Sequence, residues 1–282
     1  MNRESKSQVG IAIVTDSTAD IPPALTEELS IHVVPNVIMI QNQSFEDGID
    51  ITREEFYERL VTTKSISTGT ASSGKYEERY DLLLRNGWRH VLSIHAASLL
   101  SGIFNAASLA AQSFGDRVTV IDSKQLSLGL GFQVLAAAED AIRGASLDDI
   151  LSHLEDVGRR VRLIAMLDTL EYVRRSGRVS WARARIGELL KIKPFIEVKN
   201  GQVLSLGEAR TTQKGITRLK DLLLALGPVE RLAVLHTNAE DSARQFLTSL
   251  LVTPPDPFLV NVTTVIGTHT GPNGIGFSVV LP

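Results

Sequence analysis

Gly10-Ile11-Ala12-Ile13-Val14-Thr15-Asp16-Ser17-Thr18-Ala19-Asp20-Ile21-Pro22-Pro23 holds the architecture of the first half of the chain in miniature. Its first half is short, apolar and rich in β-branched residues, the composition of a strand covered on both faces of a parallel sheet. It runs directly into Asp16-Ser17-Thr18-Ala19-Asp20, polar residues placed where a strand hands over to a helix. Asp20 can cap that helix, and Pro22 or Pro23 can occupy its first turn.

The same rhythm of strand, polar loop and helix repeats outward from there. Residues 31–40 (IHVVPNVIMI) read as one strand region, with Pro35 withholding a ladder donor and so implying an edge or a bulge. Thr52-Arg53-Glu54-Glu55 fits a capping box ahead of a helix to about Leu60. A hydroxyl-rich loop over 65–73 precedes a helix over 74–85, a strand over 90–94 and a helix over 101–112. A further strand over 117–121 ends at Asp122-Ser123, before a long helix that reaches Gly144. This predicts an α/β unit over 1–160, its sheet mainly parallel with helices on both faces and ligands beyond the carboxyl ends of the strands.

The second half reads differently. Residues 195–199, Asn200-Gly201 and 202–207 form a hairpin pattern, because Asn-Gly supplies the two positive-φ positions of a type I′ turn. Helices over 212–226 and 239–251 alternate with strands over 232–236, 258–265 and 276–280. An α+β unit over 161–282, with a mixed or antiparallel sheet, fits this pattern.

Composition narrows the function classes. The 282 residues are 43% hydrophobic and 22% charged with a net charge of -3, so no global attraction to nucleic acid exists. Cysteine is absent, which removes disulfides, thiolate catalysis and cysteine-ligated zinc. The polar start MNRESKSQVG and the apolar run stopped by Asp16 are unlike a signal peptide, and a cytoplasmic protein with a frayed tail is expected.

Small hydroxyl residues at the mouths of the α/β units are the chemical signal. Thr68, Thr70, Ser72 and Ser73 precede a helix start, where unpaired amides assisted by hydroxyls accept an anion; ordinary N-capping would use only one of them. Ser101-Gly102 repeats the arrangement, with Gly102 admitting close backbone approach. Thr268-His269-Thr270-Gly271-Pro272 places an imidazole in a glycine-rich loop between strands, either as a hydrogen-bond donor to a carboxylate or phosphate or as part of an ordinary surface turn. The cationic stretch 174–185 includes Arg178, Arg183 and Arg185 but lacks the interleaved aromatics of a nucleic-acid surface. Asp16-Ser17 and Asp122-Ser123 read as pairs that order loops, not as metal ligands. Ser101, His269 and Asp16 or Asp122 also supply the residue types of a hydrolytic triad, so a serine hydrolase of acyl esters is the alternative, although no Gly-x-Ser-x-Gly elbow occurs.

Taken in order, Val14-Thr15-Asp16-Ser17-Thr18-Ala19-Asp20, Thr68-Gly69-Thr70-Ala71-Ser72, Leu100-Ser101-Gly102, Val120-Ile121-Asp122-Ser123, Gly177-Arg178-Val179-Ser180 and Gly267-Thr268-His269-Thr270-Gly271-Pro272 span almost the whole chain. This series resembles the DegV family of bacterial fatty-acid-binding proteins, the acyl-carrying partners of a two-component fatty acid kinase. The resemblance implies two domains holding a long-chain fatty acid such as palmitate, stearate or oleate, with no cofactor or metal. It implies that Thr68 and Ser101 hold the carboxylate and that Arg178 and His269 lie near the headgroup. Asp16, Ser17, Thr70, Ser72, Gly102, Asp122 and Ser123 would support them. It implies, too, a separate ATP-dependent kinase subunit that forms an acyl phosphate for phospholipid synthesis, and transient contact with a membrane acyltransferase. Gly69, Ala71, Ile103 and Ser176 depart from the family's serine, proline, threonine and glycine.

Overall fold

The computed structural model describes residues 10–63, 65–179, 182, 192–251 and 253–282. The expectations for the tail over 1–9 and for Ser180, Arg183 and Arg185 lie outside the described residues. The first part of the chain forms β1 (Ile11–Asp16), α1 (Pro23–Glu28), β2 (His32–Val34), β3 (Val37–Ile40), β4 (Gln43–Glu46), α2 (Arg53–Thr62), β5 (Ile66–Gly69), α3 (Ser73–Arg85), β6 (His90–His95), α4 (Ile103–Ala111), β7 (Val118–Asp122), α5 (Ser127–Ile142) and α6 (Leu147–Arg160). The rest forms β8 (Val161–Met166), α7 (Glu171–Ser176), β9 (Lys193–Lys199), β10 (Gln202–Ala209), α8 (Thr212–Leu224), β11 (Arg231–His236), α9 (Glu240–Thr248), β12 (Phe258–Asn261), α10 (Thr264–Thr270) and β13 (Ile275–Val280).

A four-stranded sheet in the order β2-β1-β6-β7 is parallel throughout and flanked by helices. Every residue of β1 is buried, as an unalternating apolar strand requires when both faces are covered. A second domain carries a six-stranded mixed sheet, β10-β9-β8-β13-β11-β12, antiparallel at every pairing except β11 with β12. Asn200 (φ 51°) and Gly201 (φ 75°) turn the hairpin between β9 and β10, and Lys199 lies opposite Gln202 as the Asn-Gly signal predicts.

Helix α5 touches β1 and β6 on one side and β8 and β13 on the other, so it lies between the two sheets. That position explains why it is buried almost all round rather than along one stripe. Gly131 permits the approach: a Cβ there would stand 2.5 Å from the Ala19 carbonyl oxygen.

The structure corrects several expectations. The strand region 31–40 is two strands, because Pro35 breaks it and Asn36 is tied by its Nδ2 to Asp16 Oδ1 at 3.2 Å. β2 joins the parallel sheet, whereas β3 enters a separate antiparallel sheet ordered β4-β3-β5 that the strand-helix rhythm does not announce. The strand expected over 258–265 ends at Asn261, and the loop expected around His269 is α10. The start of α10 is set by distant carboxylates: Asp20 accepts the Thr263 N–H at 2.7 Å, and Asp47 accepts the Thr264 hydroxyl at 2.6 Å. Asp20 therefore does not cap α1, whose first turn is opened by Pro23 with no side-chain cap.

Candidate ligand-binding site

A single cavity of about 200 Å³ gathers Thr68, Thr70, Ser101, Gly102, Arg178 and His269 along its lining. Most of its wall is hydrocarbon, with Leu163, Ala165 and Leu167 from β8 and the chain just after it, Ile196 and Val198 from β9, and Val203 from β10. A wall of this kind matches an alkyl chain and leaves few partners for a metabolite with many polar groups.

Thr68 is positioned by the antiparallel sheet, where it lies opposite Ile38 of β3. It does not sit in a loop of the parallel sheet, which corrects the expectation of two successive crossover loops. Helix α10 packs on β5 and α2, and its His269 Nε2 stands 2.9 Å from Thr68 Oγ1. Burial, with the nearby positive charge of Arg178, pushes the His269 pKa down to about 4, so the ring is neutral near pH 7. A neutral ring next to a hydroxyl offers one donor and one acceptor, and a carboxylate placed there would favour its protonation.

Ser101 ends the turn that follows β6. Its N–H is bonded to the Ala97 carbonyl at 3.1 Å, and its Oγ accepts from the Ile103 N–H at 3.3 Å. One hydroxyl thus both accepts from the first residue of α4, whose N-cap is Gly102, and lines the cavity. Thr70 Cγ2 lies 3.6 Å from where a Cβ on Gly102 would be, which brings the chain leaving β5 against the turn leaving β6.

Arg178 is exposed at its side chain and donates through Nη1 to the Ser176 carbonyl at 2.8 Å. Its neighbour Arg175 is paired with Glu171 at 2.5 Å and stacked over Tyr172. The guanidinium of Arg178 therefore stands at the edge of the cavity with solvent on its outer side.

The other candidate residues bond within the protein. Ser72 caps α3 by accepting the Lys75 N–H at 3.4 Å. Ser17 Oγ accepts the Asn36 N–H at 3.2 Å, and Ser123 Oγ accepts the Gln125 N–H at 3.1 Å. Asp16 is fully buried; burial alone would raise its pKa, but the His95 hydrogen bond and charge, with Thr18 and Ala96, hold it below the usual value. Asp122 takes the Ser98 hydroxyl at 2.6 Å and the Lys124 N–H at 2.8 Å. Their carboxylates are occupied by protein donors, and among the described residues no group of three His, Cys, Asp or Glu side chains could hold a metal ion. No helix among the described residues is long and apolar enough to cross a membrane.

The serine and histidine that line up with Asp16 are not the expected ones. Ser93 Oγ lies 2.7 Å from His95 Nε2, and His95 Nδ1 lies 3.0 Å from Asp16 Oδ2, all three side chains sealed in the core. His269 faces Thr68 instead of an aspartate.

The cavity walls were legible only faintly. Leu163, Ala165 and Leu167 recur every second residue, and the small Ala165 among larger neighbours was the one local hint of space on that face.

The DegV family model, described as an uncharacterised protein family, matches residues 10–281. The chain is 35% identical over 277 residues to the Protein DegV of Bacillus subtilis, covering 95% of this chain and 98% of that one. It is 34% identical over 274 residues to a DegV domain-containing protein of Staphylococcus aureus, covering 95% and 97%. Among solved structures, a fatty-acid-binding DegV family protein from Thermus thermophilus superposes with a TM-score of 0.88 at 32% identity, covering 97% of this chain and 100% of that one. The fatty-acid-binding DegV of Bacillus subtilis superposes with a TM-score of 0.85 at 33% identity, again covering 97% and 100%. With the family match running nearly from end to end and the same pair of sheets in its solved members, this chain belongs to the DegV family.

Proposed function

We propose that this protein binds one long-chain fatty acid, carboxylate toward Thr68, Ser101 and His269, and carries it without transforming it. The observation that carries this reading is the apolar cavity with hydroxyls and a neutral imidazole at one end. Each buried methylene contributes roughly 0.8 kcal/mol, so a chain of about 16 carbons has on the order of 10 kcal/mol of gross transfer energy before ordering costs. The polar contacts then chiefly set orientation.

In this reading the units 1–160 and 161–282 close on the ligand together. A separate ATP-dependent kinase subunit in the cytoplasm phosphorylates the presented carboxylate, feeding phospholipid synthesis. The exposed Arg178 at the cavity edge supports that step, since a developing acyl phosphate needs a cation that an incoming subunit can reach. The acyl phosphate then passes on through transient contact with a membrane acyltransferase.

The test is denaturing organic extraction of the purified protein followed by mass spectrometry. Near-stoichiometric palmitate, stearate or oleate is expected; an empty protein that also takes up none of them would end the proposal. Adding a bacterial fatty acid kinase subunit with ATP should then give acyl phosphate from the loaded protein and none from Arg178→Ala.

A further inference from the structure

The buried Ser93, His95 and Asp16 are unused by the binding reading, yet they sit directly beneath the turn that presents Ser101. β6 is the inner strand between β1 and β7. Asp16 ends β1, His95 ends β6, and Asp122, opposite His95 in register, ends β7. The turn leaving β6 is therefore flanked by one carboxylate on each side.

Both carboxylates grip it. Asp16 Oδ2 accepts the Ala96 N–H at 3.2 Å. Asp122 accepts the Ser98 N–H at 3.3 Å and its hydroxyl at 2.6 Å. Between them the Ala97 N–H goes to the Gln125 carbonyl at 2.9 Å, and the Ala97 carbonyl in turn takes the N–H groups of Leu100 and Ser101 at 3.0 and 3.1 Å. Three consecutive residues are thus tied down, the outer two to the ends of β1 and β7 and the middle one to Gln125 just beyond β7, and Ser101 hangs from that middle residue.

Asp16 itself is aimed from below. Tyr80 on α3 donates its O–H to Ser93 Oγ at 2.8 Å, Ser93 Oγ meets His95 Nε2 at 2.7 Å, and the His95 Nδ1–H meets Asp16 at 3.0 Å. The edge of the His95 ring also packs on Tyr76, with centroids 5.1 Å apart and planes at 83°. A carboxylate held by charge-assisted bonds from a fixed ring has little freedom to turn.

We propose that Asp16 and Asp122 form a clasp that positions the Ser101 hydroxyl for the ligand carboxylate, and that His95, backed by Ser93 and Tyr80, is the buried positioning residue that aims Asp16. The Ser93–His95–Asp16 row resembles a hydrolytic triad in its bonds, but its work is placement: all three side chains are sealed from solvent. The inference rests on the fatty-acid reading.

A double-mutant cycle on oleate affinity tests it. Ser98→Ala loosens the clasp from the Asp122 side, at a half-buried residue that folding tolerates, and His95→Phe loosens it from the Asp16 side while keeping an aromatic ring against Tyr76. Each is expected to weaken oleate about tenfold in the wild-type background, and by less than about twofold once Ser101→Ala is present. Equal weakening with and without Ser101 would overturn the clasp, as would no weakening by Ser98→Ala; if His95→Phe does not fold, Ser93→Ala, which removes the hydroxyl bonded to His95 Nε2, takes its place in the cycle with the same expected and overturning results. A Ser101→Ala protein that binds oleate as tightly as wild type overturns the headgroup reading itself, a result distinct from a failed cycle.

Discussion

Asp20 offers the sharpest quantitative expectation. Its carboxylate lies in the core at a left-handed φ of 56°, accepting from the Ser127 hydroxyl at 2.5 Å and the Thr263 N–H at 2.7 Å, with Arg53 at 3.8 Å. Burial outweighs these partners and pushes its pKa from 3.8 up to about 7. Because the folded-state value is the raised one, the folded chain keeps a proton where the unfolded chain has lost it. The associated stability is fully present below 3.8 and disappears as pH rises through about 7. Above that range the ionised carboxylate burdens the fold by about 4 kcal/mol. Asp20→Asn removes the charge, tolerates the left-handed backbone, and keeps an acceptor for Thr263 and a polar partner for Ser127. Allowing for the lost attraction to Arg53, the variant should be more stable than wild type by about 2 kcal/mol at pH 8, a urea midpoint higher by on the order of 1 M. The difference should shrink toward zero at pH 5. Urea titrations of both proteins at the two pH values measure it. A variant no more stable than wild type at pH 8, or a difference unchanged between pH 5 and 8, would refute the assignment of the buried charge.

For His269, with a pKa near 4 in the folded chain against an ordinary 6.5, the associated stability is present above about 6.5 and lost as pH falls through about 4. Its imidazole NMR signals should stay at the neutral position from pH 8 down to about 5.5; a titration midpoint above 6 without ligand would contradict the burial argument. Gly271 has φ 76°, and a Cβ there would stand 2.2 Å from Tyr172 Cδ2, in the contact where α10 packs on α7. Gly271→Ala should cost about 2–4 kcal/mol of unfolding free energy, combining left-handed backbone strain with overpacking, and should weaken fatty-acid binding by displacing α10; a loss under about 0.5 kcal/mol by chemical denaturation would show that the ring moves freely.

How much of this site was legible in the chain depends on the range of the force that places each residue. Ser72 and Thr52 follow local rules, and each accepts the N–H three residues ahead, as the cap patterns predict. The loop-ordering role of Asp16 and Asp122 was also readable, because each accepts a backbone N–H two residues on. His95 gave no signal: it stands in an ordinary strand, and its partners are 79 residues away at Asp16 and one strand turn away at Ser93.

The alternation of elements is local: the apolar period of the strands, the caps, and the Asn-Gly turn are written in neighbouring residues, and they suffice for a parallel sheet followed by a mixed one. The tertiary structure alone decided the antiparallel sheet that carries Thr68, the helical state of His269, and the space between the walls. The antiparallel sheet needs β5 to return to β3 past β4 and α2, and the placement of His269 needs bonds across 201 and 243 positions, Thr68 with His269 and Asp20 with Thr263. A hydrogen bond across that separation forms only after the chain has closed on itself, so no local pattern can encode it.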